Sequence, residues 1–202
     1  YKTKQSEGKL ITEHAMAATS IAISPSGNSV ASFCISNQII TIWDVETRKI
    51  ISSFKFPTQN VLEMIFTPNN QDLLVIERTA SIAVYGVKHG KFKRRMNGPS
   101  TIDYAAMQKG AYKIGTAWDF AISPDNKMVG IAQMLTESLG VGIPPEIIMG
   151  GILFDYKHNK ELGRLKGYFK MATHLSVASN SKYVLSSTFN KYNGIRVWNM
   201  KE

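Results

Sequence analysis

The side chains suited to acid–base, nucleophilic or metal chemistry are few and scattered. The four histidines, His14, His89, His158 and His174, lie far apart in the sequence. None stands at metal-ligand spacing from another His or from the single cysteine, Cys34, so no zinc site is expected. Cys34 falls in the apolar run VASFCI and reads as a core residue rather than a nucleophile. The GVGIPP stretch at Gly140 carries two glycines and two prolines with no helical pattern behind it, so it is no dinucleotide fingerprint. No Gly-Lys-Ser/Thr phosphate loop and no nucleophile elbow is present. Glu63 and Asp119 stand near the starts of two equivalent strands and could share a channel, a thin basis for hydrolysis. No cofactor, metal or small-molecule substrate is expected.

Bulk properties narrow the class further. A chain of 202 residues, 44% hydrophobic and 19% charged, can bury a sizeable core and is not disordered. One cysteine allows no internal disulfide, which fits a reducing compartment, so an intracellular location, cytoplasmic or nuclear, is expected. No run is long and apolar enough to span a bilayer as a helix. The sequence begins YKTKQSEGKLI, without Met or a signal-peptide pattern, and reads as a segment of a longer chain. The net charge of +9 leaves RNA or an acidic protein face open as a partner, beside an ordinary basic surface.

What must position any functional residue is a repeat. The phrases SIAISPSGNSVASFCI from Ser20, EMIFTPNNQDLLVI from Glu63, DFAISPDNKMVGIA from Asp119 and HLSVASNSKYVLSS from His174 share one plan: apolar strand, polar turn, apolar strand. Setting Pro25, Pro68, Pro124 and Ser179 in register aligns the four copies. Pro, Gly, Asn, Asp and Ser occupy the turns because they supply preset or positive φ and local side-chain hydrogen bonds. A third strand ends each copy, at IITIWD, SIAVYG, GGILFD and GIRVWN. In the first three copies a charged turn and a fourth strand follow, Ile50–Phe54, Phe92–Met96 and Glu161–Leu165. Strands such as IITIW are apolar on both faces, as in a sheet covered on both sides. Four antiparallel strands per repeat is one blade of a β-propeller, so the expected fold is all-β.

The copies resemble the WD40 repeat family. His14 stands eleven residues before Pro25, where that family carries Gly-His, and Trp43-Asp44 closes the third strand, where it carries Trp-Asp. The fourth copy ends in Trp198-Asn199, the third in Phe154-Asp155 and the second in Tyr85-Gly86. Trp118-Asp119 is a false match, because it precedes Ser123-Pro124 in a first strand. The resemblance implies a hydrogen-bonded structural network of His14, Ser32 and Trp43, with Asn37 near the family's Asp, present at most once and without chemistry.

The expected organisation is a single propeller segment: residues 1–12 as the last hairpin of a preceding blade, 13–54 as blade 1, 55–96 as blade 2, 97–165 as blade 3, and 166–202 as an incomplete blade 4. About four blades cut at both ends read as part of a larger propeller; in a closed alternative Leu10–Thr12 would pair beside Ile195–Asn199. Two segments exceed the repeat, 97–116 and 136–150, and both are expected as long loops on one side of blade 3. They carry apolar contact residues: Tyr104, Met107 and Tyr112 in the first, Leu139, Ile143, Ile147 and Met149 in the second. Packing of the loops on each other is the plain alternative. The densest basic run, Lys91, Lys93, Arg94 and Arg95, reads as charge on an outer strand that blocks edge-to-edge pairing, with contact to RNA or an acidic protein as the alternative. Period-2 alternation places Lys93 and Arg95 on one side of that strand and Arg94 on the other.

These features predict a non-catalytic protein–protein interaction scaffold in a multisubunit assembly. The alternatives are an RNA-associated propeller subunit in ribosome biogenesis or translation and, more remotely, a propeller hydrolase.

Overall fold

The computed structural model describes residues 17–96, 111–139, 146–165, 172–188 and 194–200. Among them the strands form four antiparallel sheets, each in chain order. Sheet I holds β1 (Ser20–Ile23), β2 (Ser29–Cys34), β3 (Ile39–Asp44) and β4 (Ile50–Lys55). Sheet II holds β5 (Val61–Phe66), β6 (Asp72–Glu77), β7 (Ile82–Gly86) and β8 (Phe92–Met96). Sheet III holds β9 (Ala111–Ile122), β10 (Met128–Leu139), β11 (Glu146–Asp155) and β12 (Lys160–Leu165). Sheet IV holds β13 (Ala172–Val177), β14 (Tyr183–Thr188) and β15 (Ile195–Asn199), three strands among the described residues. The first strands neighbour one another in series, β1 with β5, β5 with β9 and β9 with β13.

One turn design joins the first two strands of every sheet. Gly27, Asn70, Asn126 and Ser181, each two residues after the aligned position, all adopt positive φ, between 56° and 75°. Gly and Asn tolerate that conformation best. In sheets I to III the hydroxyl just before the proline accepts the N–H that opens the second strand: Ser24 from Ser29 (2.9 Å), Thr67 from Asp72 (3.0 Å) and Ser123 from Met128 (2.8 Å). Ala178 holds this place in sheet IV, where the backbone bond from its N–H to the Tyr183 carbonyl remains (2.9 Å). The Asp that closes the third strand caps the next turn in sheets I and III: Asp44 accepts from the Thr47 N–H and Asp155 from the His158 N–H.

Neighbouring sheets in the series bury facing apolar surfaces against each other. Phe33, Ile40 and Ile42 of sheet I meet Met64, Phe66 and Tyr85 of sheet II. Leu74, Ile76 and Val84, on the other face of sheet II, meet Phe120, Ile131 and Phe154 of sheet III. Leu153 and Met128 of sheet III meet Leu175 and Val184 of sheet IV. No buried cluster among the described residues joins sheet IV to sheet I, so the array is an open series of propeller blades. β6 is buried at every position, as its uninterrupted apolar centre requires. Gly90 marks how closely sheets I and II approach: it has φ +60°, and a Cβ there would lie 2.5 Å from Cδ1 of Phe54, whose ring stacks on Tyr85.

Sheet III departs from the expected loops. Residues 111–116 and 136–139 are strand, continuing β9 and β10, and 146–150 begin β11. The repeat's strand signal does not stop where the repeat length stops: AYKIGT and EIIMG are themselves rich in β-formers and extend the pairing already under way. Residues 97–110 and 140–145, with Tyr104, Met107 and Ile143, lie outside the described residues, as do His14 and Leu10–Thr12.

Candidate functional site

Lengthened β9, β10 and β11 make a three-stranded ribbon at one end of sheet III, with strands of 12, 12 and 10 residues against 6, 6 and 5 in sheet II. Six extra residues in β9 relative to β5 extend the ribbon by about 20 Å. Its register is continuous: Ser138 pairs with Tyr112, Thr136 with Ile114 and Ile147, Met134 with Thr116 and Met149. Tyr112, Ile147 and Met149 therefore fall on one face of the ribbon backbone and Leu139 on the other. A bulge at Ala132/Gln133 leaves Trp118 unpaired in the ladder, at the junction between ribbon and sheet body.

The basic strand is tied inward. Lys93 forms an ion pair with Asp72, and Arg95 with Glu77 while also donating to Ser81 Oγ (2.7 Å). Asp72 and Glu77 are 8% and 4% exposed, so their charges need these partners. Thr58 Oγ1 donates to Glu77 (2.7 Å). Arg94 crosses to sheet III, donating to the Tyr156 carbonyl (2.6 Å) and lying 4.6 Å above its ring. Tyr156 in turn donates its hydroxyl to Asp72 (2.8 Å). Burial first, then donation to Asp72 and the charge of Asp72, raise the Tyr156 phenol well above its ordinary value, so it stays a donor.

The alternation expected for this strand is corrected. A bulge between Val84 and Tyr85 gives β8 one extra residue at Lys93, which turns Lys93 to the Asp72 side with Arg94 and leaves Arg95 alone on the Glu77 side. Lys93 reaches Asp72 by passing over Gly86, where a Cβ would stand 3.2 Å from its Cε. Of the run, Lys91 stays exposed without such a partner role in this cluster.

Of the expected network, Ser32 and Trp43 are buried on one face of sheet I, and Asn37 accepts from the Ile39 N–H within its turn (3.4 Å). Sheet IV, where no such network was expected, has Trp198 Nε1 donating to Ser186 Oγ (2.8 Å), at the positions equivalent to Trp43 and Ser32. The repeat register alone could have found this pair. Cys34 is buried, in keeping with a core role.

Glu63, Asp119 and His174 gather on the first strands. Asp119 accepts from the Leu175 N–H (2.8 Å) and lies 3.4 Å from His174 Nδ1, joining sheet III to sheet IV. Burial, then the charge of Asp119, raises the Glu63 carboxyl above its usual range. Among the described residues no group of three His, Cys, Asp or Glu side chains could hold a metal ion. No helix among them is long and apolar enough to cross a membrane.

No family model matches the chain, and no curated protein matches it by sequence. Solved structures do match. The β-propeller domain of Cps50 (Swd1) from Myceliophteria thermophila aligns over 90% of this chain with a TM-score of 0.66 and 13% identity; the chain spans 53% of that domain's length. The computationally designed Ika4 protein aligns over 96% of this chain and 99% of its own, with a TM-score of 0.64 and 16% identity. The likeness is one of fold alone: the described residues form an array of β-propeller blades.

Proposed function

We propose that this chain is a non-catalytic scaffold within an intracellular multiprotein assembly, and that the ribbon of sheet III is its main docking element. The carrying observation is the asymmetry of the array: one sheet of four projects about 20 Å beyond its repeat length. A projecting ribbon on a rigid body presents backbone edges at β9 and β11 and side chains on two faces, as strand-addition recognition uses. The bond from the Leu175 N–H to Asp119, beside the bulge, ties the ribbon's base to sheet IV.

RNA association rests on the net charge of +9 and loses its densest cluster, because Lys93, Arg94 and Arg95 serve contacts within the protein. The test shortens the ribbon. Thr136 and Ile147 are a register pair, so an Asn-Gly turn can join them directly. Partners that co-purify with the intact chain are expected to be lost with the shortened one, at unchanged thermal stability. Undiminished recovery rejects the ribbon as docking element. Recovery of RNA that falls steeply with salt would favour the RNA reading.

A further inference from the structure

Among the described residues, the ladders, hydrogen bonds and buried clusters that hold β9, β10 and β11 to the rest of the protein end on one line across the three strands. On β9 the line passes through the bulge, where Trp118 stands unpaired between the pairs Asp119–Ala132 and Ala117–Gln133. On β11 it passes through Gly150 and Gly151, opposite Gln133 and Ala132. The fourth strand, β12, reaches only to the pair Leu165–Gly151. The bonds to neighbouring sheets lie at the same level: the Ala117 N–H donates to the Arg78 carbonyl (2.9 Å) and the Leu175 N–H to Asp119 (2.8 Å). Ala117, Ala132 and Ile152 are the cluster members nearest the ribbon on their strands, and Met134 belongs to no cluster. Beyond the line the three strands pair only with one another.

That line is also where the sheet is most easily bent. An extra residue bends its strand and breaks the ladder locally, and glycine inside a strand weakens it. At the centre of the line Gln133 is 2% exposed, and its Oε1 has no hydrogen-bond partner among the described residues. A buried acceptor left unpaired is costly, so opening the line to water offsets part of the cost of bending. We propose that the ribbon is a hinged arm: residues 111–116, 134–139 and 146–149 swing as one unit about the line through Trp118, Gln133 and Gly150. The bonds at Ala117 and Asp119 keep the body of sheet III fixed while the arm moves. The ladder within the arm stays intact, so the motion is a collective one on the microsecond-to-millisecond scale. Its use in binding rests on the docking role proposed above, and the motion itself does not. A swinging arm offers its edges over a range of angles, and a partner that fixes one angle removes that freedom.

The test is pulsed electron spin resonance between paired nitroxide labels on the 202-residue chain, with Cys34→Ala so that only introduced cysteines react. One pair spans the line: Glu137→Cys in the arm and Asn60→Cys in the exposed connection before β5. The control pair, Gln71→Cys and Lys127→Cys, joins exposed turns of sheets II and III at their opposite end. The distance distribution across the line is expected to be about twice as broad as that of the control. Removing Trp118 restores a regular ladder with every flanking pair kept, and is expected to narrow the distribution to the control width. Equal widths in the intact chain overturn the proposal, whether or not the chain lacking Trp118 folds. A broad distribution that survives removal of the bulge, with circular dichroism unchanged, also overturns it, because the pivot then lies elsewhere. The measurement needs no partner. A broad distribution in a chain that loses no partner when its ribbon is shortened supports the hinge and removes only the docking role.

Discussion

Asp72 and Glu77 stand at the two ends of a strand that is otherwise apolar and wholly buried, and their partners decide whether that strand is tolerable. Replacing Tyr156 with Phe removes one hydrogen bond to Asp72 and is expected to lower stability by about 1 kcal/mol in a urea titration. Arg95→Met leaves Glu77 buried without its cation. Because the Arg95 side chain is 32% exposed, the expected loss is about 2 kcal/mol, below the full value of a broken buried pair. Glu63 behaves in the opposite sense. Its folded-state pKa is raised, so the folded chain holds a proton that the unfolded chain releases. Its contribution is most favourable below the unfolded value and turns unfavourable as pH rises through the folded one. Glu63→Gln is therefore expected to raise the melting temperature at neutral pH, with the gain fading in acid; an equal gain at all pH values would refute the burial argument. The charges of the basic run were legible in the sequence. Their partners were not, because Asp72 and Glu77 lie two strands away and the bulge at Lys93 breaks the alternation that a sequence reading must assume.

At the scale of elements, the repeat made nearly every strand legible, because turn chemistry and apolar runs agreed four times over. The turn between β13 and β14 is the weakest copy: Ser181 takes φ 56° where the others use Gly or Asn. Ser181→Gly is expected to stabilise by about 0.5–1 kcal/mol, read as a shift in the denaturant midpoint without a change in slope. Gly90→Ala tests the opposite case. It meets both a left-handed backbone and the Phe54 ring, and about 2 kcal/mol should be lost. The ribbon was misread as loops for a physical reason: excess length over a repeat shows that something is inserted, and only the pairing of 111–116 with 134–139 shows that it is strand. Its position on one side of one blade followed from antiparallel topology, since the end of β10 and the starts of β9 and β11 must lie together.

At the scale of the whole molecule, the described residues form four sheets stacked in series through apolar faces, and no buried cluster among them joins sheet IV to sheet I. The regularity of the series is interrupted by the ribbon at one end of sheet III, on which the proposed platform role rests. The most direct test of the scaffold reading places a photo-crosslinking amino acid at Ile147 in the ribbon and, separately, at Lys88 in an exposed turn at the other end of a sheet. The account predicts that Ile147 captures a discrete protein partner from cells and that Lys88 does not. Capture by Lys88 alone, or of RNA at either position, would contradict it.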